Sequence, residues 1–184
     1  ARPATGYAHA AYARSLAHIG SPRHLPRSGA WLLEREIPGT GRRDGTGPDP
    51  IRVACAWAAL DVDLKEVGGE WVSVTAVADP LGEHGGERGL RAAFPDLVRP
   101  YKEHHVVDLA AAFERATSAH HRRNARRALG LLAVEPVTEP EAYLDAWIRL
   151  YAAHVRRHRI TGAAAFPRES FAEQFRVPGL TAFQ

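Results

Sequence analysis

The chain has 184 residues, with 45% hydrophobic and 24% charged side chains, an ordinary globular composition long enough to bury a core. One cysteine, Cys55, excludes an internal disulfide and any multi-cysteine metal site, and it fits a reducing, cytoplasmic setting. A net charge of +3 with dispersed acids argues against a general nucleic-acid binder. No apolar run approaches the roughly eighteen residues that span a bilayer, and the first residues lack the apolar core of a secretory signal.

In chain order, Tyr12, Leu16 and Ile19 fall on one stripe and predict a helix over 7–19, stopped by Gly20-Ser21-Pro22. Trp31 to Ile37 reads as a strand closed by Pro38-Gly39. Residues 39–50 read as a loop, with four glycines and two prolines. Residues 51–60 suggest a buried strand weakened by alanines. Residues 71–77 alternate as a strand that ends at Asp79-Pro80-Leu81-Gly82, before a glycine-rich loop running to Gly89.

Further on, Ser118 is placed to cap a helix to Leu129, with Gly130 as its stop. Residues 131–137 are a strand candidate. Thr138 and Glu141 fit a capping box ahead of a helix to His158, on which Leu144, Trp147, Ile148, Tyr151 and Val155 form an apolar stripe. A shorter helix over 167–176 buries Phe171 and Phe175, and 180–183 begins as a strand. From Leu131 onward the order is therefore strand, long helix, short helix, strand. A sheet stopped at that point presents an unpaired edge, so the chain reads as a truncated product.

The segment Phe94-Pro95-Asp96-Leu97-Val98-Arg99-Pro100-Tyr101 to Leu109 resembles a stretch of bacterial GNAT-family proteins related to the FemAB-like acyltransferases. The same proteins continue with segments like His120 to Ala128, Trp147 to Tyr151, Phe166 to Phe171 and Val177 to Leu180. Their strand before a D-P-x-G turn is similar to Trp71–Gly82. The resemblance implies an α/β, GNAT-like fold, with an N-terminal lobe over 1–109 and the opening half of a second over 110–184. It implies N-acyl transfer from acetyl-CoA or another acyl-CoA to a small-molecule or peptide amine. The cofactor-binding elements would lie beyond residue 184, leaving this stretch inactive alone. The turn over 159–166 would border the acceptor pocket, with Arg159 and Phe166 as substrate-binding candidates.

Acyl transfer to an amine needs a proton acceptor, and His104, His105 and Asp108 are the candidate base and its orienting carboxylate. On a strand the two histidines face opposite sides, so at most one enters a site. A satisfied structural pair is the other reading. The run His120 to Arg127 is the strongest charge cluster, and Arg123 and Arg127 are its substrate-binding candidates. A solvated helix face, a substrate or cofactor contact and a nucleic-acid contact are its three readings. The competing function is thus a non-catalytic module whose basic helix, 118–129, binds nucleic acid or a protein. A degenerate lobe kept for assembly is a third.

Arg42-Arg43-Asp44-Gly45-Thr46-Gly47 spells R-x-x-G-x-G, but prolines follow where a phosphate site needs a helix N-terminus, so a loop is expected. Gly85 to Gly89 precedes a possible helix, yet Glu83 and Glu87 repel an anion. His154 and His158 have zinc-ligand spacing, but Arg156, Arg157 and Arg159 oppose a cation, so no metal is expected. Cys55 sits in an apolar run and reads as an inert thiol.

Overall fold

Strand formation begins where β-branched, aromatic and leucine side chains can bury one face. The computed structural model describes residues 5–48, 56–103, 105, 108 and 110–184. The chain divides into one unit of residues 1–101 with 141–180 and a second of 102–140 with 181–184. The class is mixed α/β.

In the first unit a sheet of order β1-β2-β3-β4 forms from Ser21–Leu25, Ala30–Ile37, Arg42–Thr46 and Trp71–Thr75. The first three strands run antiparallel, and β4 joins β3 in parallel. Arg23 faces Leu32 and Leu25 faces Ala30 in the first ladder, which sets Leu25, Ala30 and Leu32 into the core. Trp57, Leu60, Val67, Trp71 and Ala93 complete that core. Each fully buried leucine contributes at most about 1.5–3 kcal/mol.

Helix α2, Leu60–Val67, buries Leu60, Asp63 and Val67, the i, i+3, i+7 face expected of a helix lying on a sheet. Helix α3 spans Gly86–Ala93. Helix α1, Ala10–Ser15, has His9 at its N-cap accepting from the Ala11 amide (3.1 Å). It packs on helix α7, Arg168–Phe175, where Arg14 meets Glu173 at 3.0 Å. Helix α6, Leu144–His158, lies against α7 as well.

The second unit holds α4, Phe113–Ala116, α5, Ala119–Leu129, and a two-stranded antiparallel pair, β5, Pro136–Val137, with β6, Ala182–Phe183. Ser118 caps α5 as its sequence implies, accepting from the His121 amide at 3.3 Å, and the helix stops at Gly130.

Several sequence expectations give way. The helix expected over 7–19 is a 3-10 turn, Gly6–Ala8, followed by the six residues of α1. Ser21 and Pro22 start β1 rather than stop a helix; proline is tolerated there because β1 is an edge strand. The expected loop over 39–50 contains β3, which hid because only Gly45 of that strand is buried. Residues 51–55, and Cys55 with them, lie outside the described residues, while Trp57–Ala59 is a 3-10 turn and Leu60 opens a helix instead of ending a strand. Helix α3 begins inside the glycine-rich segment that was expected to be loop as far as Gly89. The strand expected over 131–137 shortens to two residues. The capping box at Thr138 does not form, since Pro140–Tyr143 winds as a 3-10 turn and α6 begins at Leu144 with no side-chain cap.

Candidate functional site

The apolar stripe of α6 cannot be covered by the eight residues of α7 along its whole length. Trp147 meets Phe171 and Phe175 at 5.9 and 6.3 Å between ring centroids, and Tyr151 meets Phe171 edge-on at 4.7 Å. Beyond Tyr151 the chain leaves α6 through Arg159, whose φ of 52° is left-handed, and the Ile160 amide closes back on the Val155 carbonyl at 3.1 Å. The Arg159 amide also bonds to the Val155 carbonyl, a left-handed helix ending with arginine at the position glycine usually takes.

Tyr151 fixes the return. Its hydroxyl donates to the Ala164 carbonyl (2.6 Å) and accepts from the Phe166 amide (3.2 Å). Phe166 thereby stands over α6, and a cavity of about 290 Å³ opens between Ile148, Tyr151, Ala152, Val155, Ala165 and Phe166. Two cations reach it, Arg156 and Arg168, and no carboxylate lines it. Arg168 is held by Asp145 at 2.5 Å. Arg156 enters no ion pair among the described residues.

A second cavity, of about 620 Å³, lies along β2 and β3 and is polar. Its charges largely satisfy one another. Arg35 grips Asp44 through two bonds of 2.9 and 2.7 Å, and Arg43 reaches Glu34 at 3.0 Å. Glu34 also accepts from Trp71 Nε1 at 2.6 Å. Arg43 and Asp44 belong to the R-x-x-G-x-G spelling, and β3 takes Arg42 to Thr46 of it into the sheet. A Cβ on Gly45 would lie 2.7 Å from the Trp71 ring, so glycine is required for packing there.

Near α7, His18 donates from Nε2 to the Ala163 carbonyl (3.0 Å), and its Nδ1 pairs with the Ser170 hydroxyl (3.0 Å). Ser170 is 3% exposed, so the pair fastens the turn after α1 to α7 and offers no accessible nucleophile.

The displaced titrations lie in the sheet region. Asp63 is buried, which pushes its carboxyl upward. Bonds from the Ser28 hydroxyl and amide and the Arg27 amide outweigh that and hold it below the usual carboxylate range. The hydrogen bond from Arg23 lowers Glu70 in the same direction. Both are structural pairs.

Among the candidates read from sequence, Phe166 lines the apolar cavity, while Arg159 ends α6 outside that lining. Arg123 and Arg127 lie exposed on α5, in the second unit. His104 lies outside the described residues. His105 is exposed, and Asp108 is exposed with its carboxylate accepting the Ala110 amide at 2.9 Å, an Asx turn. The rings of His154 and His158 lie 4.5 Å apart at a tilt of 46°, and among the described residues no three ligand-type side chains converge as a metal site needs. No helix among them is long and apolar enough to cross a membrane. Sequence reasoning missed Arg156, and it read Ile148, Tyr151 and Val155 only as core. The available signal was a stripe longer than its covering helix.

Comparison with protein-family models, with curated proteins and with solved structures finds no match to this chain. The class that can be stated is accordingly the mixed α/β one, with a small apolar cavity rimmed by arginine as its candidate site.

Proposed function

We propose that the chain forms part of a GNAT-like N-acyltransferase, moving an acyl group from acyl-CoA to an amine held beside the 159–166 turn. The observation that carries this reading is the cavity at Phe166, which opens at the turn where the sequence resemblance puts the acceptor. The element order adds support, because β5 and β6 flank α6 and α7 in the chain and pair antiparallel. In the reaction the amine nitrogen attacks the thioester carbonyl, the C–S bond breaks to expel the CoA thiolate, and the proton lost by the nitrogen ends on that sulfur, giving the amide and the CoA thiol. Positioning supplies much of such a rate enhancement.

Calorimetry with acetyl-CoA tests it, on this chain and on any longer natural form of the protein. Heat of binding from the longer protein alone is the expected result, followed by transfer to an amine. Absence of binding by both overturns the acyltransferase reading.

One observation favours a second reading. Helix α5 carries no acidic residue, and Arg123, Arg126 and Arg127 have no carboxylate partner among the described residues. A polyanion-binding module would show a salt slope of about −0.9 per phosphate neutralised on duplex DNA, reduced by Arg126→Gln and Arg127→Gln. The acyltransferase reading expects no such slope.

A further inference from the structure

The apolar cavity has walls of one chemistry and a rim of another. Ile148, Ala152, Val155, Ala165 and the ring of Phe166 offer nothing that bonds a polar group. The Tyr151 hydroxyl already donates to one backbone group and accepts from another. At about 290 Å³ the space sits at the lower end of ligand cavities, roughly 300–1,000 Å³, so it suits one ring or a short branched chain. Charge complementarity then selects the occupant. Arg168 is compensated by Asp145, whereas Arg156 presents an uncompensated guanidinium among the described residues, whose planar fork matches a carboxylate through two parallel bonds. A bare amine at that rim meets like charge.

We propose that this cavity binds a small apolar carboxylate, its hydrocarbon part against Phe166 and Val155 and its carboxylate on Arg156. Calling this ligand the acyl acceptor rests on the function proposed above. On that reading the acceptor is an amino acid with an apolar side chain, held by its α-carboxylate so that its amine is left free to react. The binding itself needs no acyl-CoA, so the two proposals fail separately.

The test uses 3-phenylpropanoate, its uncharged amide and phenethylamine as probes in amide NMR titrations of the whole chain. The carboxylate should shift the Ala152, Val155, Ala165 and Phe166 signals and bind about tenfold tighter than the amide, the range of one charge-assisted hydrogen bond. Phenethylamine should be weakest. Arg156→Gln should bring the carboxylate to the level of the amide while leaving amide binding unchanged, and Arg156→Lys should restore part of the difference. Arg156 is exposed, so neither variant threatens the fold. Equal binding of carboxylate and amide would overturn the proposal. So would an Arg156→Gln variant with undiminished carboxylate affinity, or no shift at these four amides with any probe.

Discussion

Asp63 carries a charge where its side chain is 1% exposed, and its carboxylate stays ionised because four groups aim at it. Ser28 donates its amide at 2.7 Å and its hydroxyl at 2.6 Å, the Arg27 amide lies at 3.3 Å, and the Arg27 guanidinium is 3.8 Å away. The carboxylate thereby ties the β1–β2 turn to α2. Its folded pKa lies below the unfolded value of about 3.9, so its stabilisation is complete above that value and is lost as pH falls through the folded one. Asp63→Asn puts an amide against buried donors and should cost about 2–3 kcal/mol at pH 7, read by urea denaturation. The gap between variant and parent should narrow below about pH 4. An equal gap at pH 7 and pH 3.5 would deny the charge this role. Arg159 poses the opposite case, a side chain where none is favoured. With φ at 52°, Arg159→Gly should raise stability by up to about 1 kcal/mol, seen as a higher urea midpoint at unchanged slope. If Arg159 also touches a ligand, the same variant loses affinity while gaining stability, which separates the two roles.

At the scale of elements, the link between α6 and α7 depends on one hydroxyl. Tyr151→Phe removes both bonds that pin Ala164 and Phe166, for a cost of about 1 kcal/mol. Hydrogen exchange at the Phe166 amide should quicken while exchange inside α6 stays as it was. Unchanged exchange at Phe166 would mean that ring packing alone holds the turn. Helix α5 was legible in sequence through its serine cap and glycine stop, α6 through its long periodic stripe, and α7 through Phe171 and Phe175 at i, i+4 ahead of Pro178-Gly179. The elements that escaped have another physical basis. Strand β3 buries only a glycine, placed there because Trp71 covers it, and such a contact leaves no pattern in the strand's own residues. Helix α2 was legible in principle, since Leu60, Leu64 and Val67 share a face, but Asp63 interrupts the apolar stripe with a buried carboxylate. The cavity was half legible: Phe166 came from resemblance, whereas Arg156 matters only through the lack of a partner, which no spacing reveals.

At the scale of the whole chain, burial is distributed unevenly. Among the described residues, every buried one belongs to the unit of residues 1–101 with 141–180. Among the described residues of the second unit none is buried, and Leu129, Leu131, Leu132 and Val134 are each 58–78% exposed. An eleven-residue helix without a packed face is marginal in water, because few propagation steps follow a costly nucleus. Ser118 offsets part of that cost by capping the first turn, on the order of 1 kcal/mol. Opening of α5 should therefore be local and inexpensive, near 0–1 kcal/mol, whereas Leu32 and Leu33 of β2 should open only with global unfolding, some 5–15 kcal/mol. Native-state hydrogen exchange measures both in one experiment. Fast exchange along 121–129 beside slow exchange in β2 is the expected pattern. Ser118→Ala should raise the α5 rates further without touching β2. Protection of α5 at the level of β2 would mean that its apolar residues are covered in solution, and the arginines on the helix would then have to be weighed as part of an interface rather than as a solvated face.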